Sequence, residues 1–85
     1  MALALAWRMP TIHIVGNLHI RLYTRDHEPP HVHIVGVDFV VRLFLGSWKV
    51  ETVLGKPRNI ADAVRWVKAN EARVREIWRA TRSGP

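Results

Sequence analysis

The chain has no cysteine. Disulfide staples and thiolate metal sites are therefore excluded, and the composition fits a reducing cytoplasm. No apolar run approaches the ~20 residues of a membrane span, so no membrane partner is expected. The apolar start, Ala2-Leu3-Ala4-Leu5-Ala6-Trp7, lacks the basic n-region and adequate h-region of a secretory signal. Met9-Pro10-Thr11-Ile12 reads as a second start. Residues 1–8 are thus expected to form an upstream extension, loosely ordered or packed against a sheet edge, with residues 9–85 as one domain. Acidic side chains are few, 7 against 13 Lys and Arg, giving a net charge of +6. That balance favours polyanions or acidic proteins as partners. Gly55-Lys56 lacks the Gly-x-x-x-x-Gly-Lys spacing of a phosphate loop. Ser47 falls in a tight turn, with no Ser-His-Asp arrangement around it. No repeat, low-complexity tract or second domain is present.

What the chain does have is histidine concentrated in one place. Three of its five histidines lie in Asp26-His27-Glu28-Pro29-Pro30-His31-Val32-His33, and none follows. The two prolines fix their own φ and push each preceding residue towards extended geometry. The stretch is a stiff connector carrying ionisable groups.

Alternation of apolar and polar residues predicts five strands: Thr11–Val15, Leu18–Thr24, His31–Val35, Phe39–Leu45 and Trp48–Val53. A two-residue turn at Gly16-Asn17 would pair Val15 with Leu18. It would also strand Ile12 and Ile14 on the polar face, unless a bulge intervenes. A symmetric hairpin over residues 24–30 sets Tyr23 against His31 and Arg21 against His33. His19, Arg21, Tyr23, His31 and His33 then share one sheet face, while Ile20, Leu22, Val32 and Ile34 share the other. Gly46-Ser47 suits a type II′ turn that pairs Leu45 with Trp48, Leu43 with Val50 and Arg42 with Glu51.

Beyond the Leu54–Arg58 linker, Asn59 is a suitable N-cap with Asp62 three residues on. One long helix is predicted to about Thr81, with Asn70 as a kink position. Its apolar stripe is Ile60, Ala63, Val64, Val67, Val74 and Trp78. Trp48, Trp66 and Trp78 read as core. A basic stripe of Arg65, Lys68, Arg75, Arg79 and Arg82 runs beside it, and Glu71 is spaced to pair with Arg75. The fold class is α+β: a largely antiparallel five-stranded meander with one long C-terminal helix on one face. The helix should cover the Leu18/Ile20/Leu22 side and leave the His/Arg/Tyr side partly open.

Met9-Pro10-Thr11-Ile12, Ile20-Arg21-Leu22-Tyr23, the Asp26–His33 stretch and the Trp66-Val67, Asn70 and Trp78 pattern together resemble a known family. It is a group of small bacterial proteins known only as a domain of unknown function, with an Asp-His-x-Pro-Pro-His-x-His hallmark. The resemblance covers residues 9 to about 81. It implies a small single domain, often encoded beside another small protein in toxin–antitoxin-like or mobile-element arrangements. It supplies no mechanism.

Three chemistries suit these residues. Metal-independent cleavage of RNA needs a base, an acid and cations on the phosphate. His27, His31 and His33 would supply the first two and Arg21 the third. Tyr23 would stack or donate, Asp26 would orient an imidazole, and the basic helix stripe would bind the backbone. A zinc or other divalent transition-metal site would use Asp26, His27, His31 and His33, although the Pro-Pro step makes joint use of His27 awkward. A non-catalytic module would use the stiff connector as a scaffold for a partner. The reading carried forward is a small cytoplasmic basic protein acting on or near RNA through its histidine-rich face, without a cofactor. Its expected partners are RNA and a small cognate protein, and a homodimer would supplement the modest core of so short a chain.

Overall fold

The computed structural model describes residues 10–23 and 28–82. The extension over residues 1–8, and Asp26 and His27, lie outside the described residues. The strands are β1 (Thr11–Val15), β2 (Leu18–Arg21), β3 (His31–Val35), β4 (Val40–Phe44) and β5 (Val50–Leu54), and the helices are α1 (Ala61–Ala69) and α2 (Glu71–Arg82). All strand pairs are antiparallel, in the order β1-β2-β3-β4-β5. The chain is therefore the expected α+β meander, with its helical segment divided in two.

β-branched residues on alternate positions put one face of each inner strand into the core. Leu18, Ile20, Leu22, Val32, Ile34, Val41, Leu43 and Leu45 are buried there. Ala63 and Val67 of α1, with Val74 and Trp78 of α2, are buried in the same cluster. The helices thus cover the Leu18/Ile20/Leu22 side. The division falls at Asn70, whose side-chain amide donates to the Trp66 carbonyl at 2.8 Å while its backbone N–H donates to the Trp66 and Val67 carbonyls. A side chain competing for helical carbonyls ends a helix locally.

Four local expectations change. The Gly16-Asn17 turn does pair Val15 with Leu18 and His13 with Ile20, and a bulge between Thr11 and His13 lets Ile12 pack against the core. Ile14 stays on the polar face, 51% exposed. At the β4–β5 end, the Trp48 N–H donates to the Phe44 carbonyl at 2.9 Å, so the connection is a longer loop than a two-residue type II′ turn. Gly46 and Trp48 have φ of 92° and 61° there. Leu43–Val50 and Arg42–Glu51 pair as expected. The helix N-cap is Ile60, without a side-chain hydrogen bond, because Asn59 has a φ of 57°. Asn tolerates that left-handed conformation better than most residues. Asp62 pairs with Arg65 instead of closing a capping box.

Gly55 follows β5 with a φ of 72°. A Cβ there would run into the Asp38 carbonyl oxygen and approach Phe39 Cα to 3.1 Å. Gly55→Ala should therefore cost more than about 1 kcal/mol, since both the φ and the backbone contact oppose it. Urea denaturation, with exposed Lys56→Ala as the control, checks this; matched midpoints would show that the loop yields freely.

Candidate functional site on the histidine face

The site is built from three adjacent strands. In the ladders Arg21 pairs with His33, and His33 pairs with Arg42, which in turn pairs with Glu51. One cross-strand row therefore reads guanidinium, imidazole, guanidinium, carboxylate. The neighbouring row carries His31 opposite Phe44. Residues paired across a ladder share a face, so both rows lie on the face opposite Ile20, Ile34 and Val41.

The Arg21–His33 register is the one the hairpin symmetry predicts. Tyr23 lies beyond the end of β2, and its ring stacks on His33 at 4.1 Å and 10°, rather than meeting His31 squarely. This is the diagonal neighbour, within reach of an aromatic side chain. His31 Nδ1 is 2.7 Å from the Pro29 carbonyl oxygen. A carbonyl only accepts, so Nδ1 carries the proton. The His31 ring sits 5.3 Å from His33, 5.4 Å from Phe44 and 5.2 Å from Trp78. Trp78 in turn donates through Nε1 to Glu28 at 3.4 Å. The connector, β3 and α2 meet at this imidazole.

The centre of the face, expected to stand partly open, is covered. His31 and His33 are 2% and 5% exposed, whereas His19, Arg21, Tyr23, Arg42 and Phe44 around them are half-buried. The stacked Tyr23 and the rings around His31 account for the difference. What faces solvent is a rim of cations and aromatic edges over an imidazole floor. Arg21 Nε donates to Thr11 at 3.2 Å, and Arg42 pairs with Glu51. Arg42 Nε and His19 Nδ1 are buried without a hydrogen-bond partner among the described residues.

The basic helix stripe lies on α1 and α2. Arg65 pairs with Asp62 and Arg75 with Glu71, and the Lys68 ammonium sits 5.6 Å from the Trp48 ring centroid. Arg79 is exposed, and the side chain of Arg82 lies outside the described residues. Of the alternative metal ligands, only His31 and His33 are described. Among the described residues, no group of three His, Asp or Glu is placed to hold a metal ion, and no helix is long and apolar enough to cross a membrane.

The family model for the domain of unknown function DUF4160 matches residues 17–79. The chain belongs to this family. No curated protein and no solved structure matches it. The matched span runs from the β1–β2 turn into α2, so the DUF4160 region holds both cross-strand rows, the connector and Trp78.

Two contributors escaped the sequence reading as site residues. Arg42 was visible only as the partner of Glu51, and Phe44 was not singled out. The signal was present in the alternation of β4, but the length of the Gly36-Val37-Asp38 turn leaves the β3–β4 register open. The Gly36 N–H donates to the Phe39 carbonyl at 2.9 Å, and this sets His33 against Arg42.

Truncating His31 would remove a buried ring from three aromatic contacts and leave the Pro29 carbonyl without its donor. His31→Ala should lower stability by about 2–4 kcal/mol, while the half-buried His19→Ala should cost under about 1 kcal/mol. Paired thermal and urea melts decide it; an unchanged His31→Ala midpoint would mean that the ring carries no structural load.

Proposed function

We propose that this DUF4160 domain binds single-stranded RNA across its histidine face, as the RNA-directed member of a small paired, toxin–antitoxin-like system. The observation that carries the reading is the Arg21–His33–Arg42 row flanked by Tyr23 and Phe44. A single strand needs cations spaced along its phosphates and ring surfaces for its bases. Adjacent strands lie about 4.8 Å apart, so the Arg21 and Arg42 backbone positions stand roughly 10 Å apart on either side of His33, with the guanidiniums turned outward to Thr11 and Glu51. The net charge of +6 adds long-range attraction for a polyanion.

In this reading the histidines are positioning residues. His33 supports Tyr23 from below, and His31 braces Phe44 and the connector. Binding is favoured over acid–base cleavage because a 2%-exposed imidazole offers a ligand on the face no direct proton path. Cleavage by the His31/His33 pair would require the Tyr23 cover to lift. A second reading, a non-catalytic module for a cognate protein, draws on β5, where all five residues are exposed and Val53 and Leu54 are 48% and 61% accessible.

The test is the affinity of a fluorescent oligouridylate as a function of salt. The logarithm of affinity should fall linearly with the logarithm of salt, and Arg42→Ala should reduce the slope by about 0.7, the value of one single-strand phosphate contact. Tyr23→Ala should weaken binding by about 1–3 kcal/mol through the loss of one stacked base. An absence of binding at low salt, or a slope unmoved by Arg42→Ala, would sink the RNA reading and leave the protein module.

A further inference from the structure

Beside the phosphate row, between the connector and the β4–β5 loop, lies a cleft of about 410 Å³. It is lined by Pro29, Phe44, Leu45, Ser47, Lys49 and Glu51. This volume is at the lower end of ligand clefts, which run roughly 300–1,000 Å³, and it is ample for a nucleobase with its ribose. Pro29, Phe44 and Leu45 form an apolar wall, while Ser47, Lys49 and Glu51 are exposed. The walls are held from both sides. The Leu45 N–H donates to the Pro30 carbonyl at 3.0 Å, and the Phe44 N–H donates to the Lys49 carbonyl at 2.9 Å.

We propose that this cleft takes a guanine base of the bound RNA, a specificity that rests on the RNA reading above. Among the described lining side chains, Glu51 is the sole carboxylate. An ionised carboxylate offers only acceptors, so the base edge that satisfies it must present adjacent donors. Guanine does so with N1–H and the 2-amino group. Adenine and cytosine set a donor beside an acceptor, and uracil has a lone donor between two carbonyls. Guanine then needs a donor for O6, next to N1–H. Lys49 brings an ammonium, and Ser47 brings a hydroxyl. The Ser47 Oγ already accepts from the Lys49 N–H at 3.2 Å, which leaves its hydrogen to donate outward. Phe44 and Pro29 offer the base its stacking surfaces. Arg42 binds Glu51 through Oε1 and so orients the carboxylate. Arg42 also belongs to the phosphate row, so base recognition and backbone binding share one ion pair.

The test compares four labelled pentanucleotides by fluorescence anisotropy: all-uridine, and the same with a central guanosine, inosine or adenosine. The guanosine oligomer should bind roughly tenfold tighter than the adenosine one, as expected for a well-made bidentate pair. Inosine, which keeps N1–H and O6 but lacks the 2-amino group, should fall between them. Glu51→Gln puts an amide donor against a donor edge, and the ratio of guanosine to adenosine affinity should collapse towards one. Because that readout is a ratio within one variant, a general loss of folded protein does not mimic it. Equal binding of all four oligomers, or a guanosine preference that survives Glu51→Gln, overturns the guanine site and leaves RNA binding standing. No binding of any oligomer overturns the RNA reading and the guanine site with it.

Discussion

The hydrogen bond from His31 Nδ1 to the Pro29 carbonyl is the contact on which the site depends. It ties the stiff connector back onto the strand it precedes. Through the same ring, β3 touches Phe44 of β4 and Trp78 of α2. A buried polar ring is tolerated only when its nitrogens are satisfied. The carbonyl satisfies one of them, and the remaining ring surface is taken up by aromatic neighbours. His31 therefore behaves as a core residue whose Nδ1 is satisfied by the connector two residues away.

That arrangement decides what the face can offer. β3 is buried on both sides, by aliphatics towards the helices and by imidazoles on the other face. The histidines do not reach solvent as a catalytic pair would. His33 stacks on Tyr23 and stands between Arg21 and Arg42 in the ladder, and His31 meets Phe44. Glu51 pairs with Arg42 at the outer end of the row, where it adds an acceptor to an otherwise cationic and aromatic surface. Asp62, Glu71 and Trp48 engage three of the helix cations, Arg65, Arg75 and Lys68.

The sheet edges follow a related logic. Both outer strands carry a register shift, at Thr11/His13 in β1 and at Val40/Val41 against β5. A bulge bends a strand and breaks the regular row of free backbone groups, which discourages edge-to-edge pairing. In β1 the same bulge returns Ile12 to the core, while His13 stacks on Trp66 at 4.1 Å.

The sequence by itself determined the α+β class, the five-strand order, the helical cover and the Arg21–His33 register. Each follows from local alternation or from a short connection, where period and loop length leave few solutions. It marked Asn70 as a kink in one long helix, and the structure divides the helical segment there. Tertiary structure decided the rest. Tyr23 stacks on His33 rather than meeting His31, because an aromatic ring beyond the strand end reaches its diagonal neighbour. Arg42 and Phe44 enter the site because the Gly36–Phe39 turn sets the β3–β4 register, and its geometry is not written in residue spacing. Trp78 was legible as core from its place on the apolar stripe. That its indole meets His31 and Glu28 depends on how far α2 extends past the sheet. Burial of His31 and His33 was not legible at all, since alternation assigns a residue to a face but does not say what covers that face.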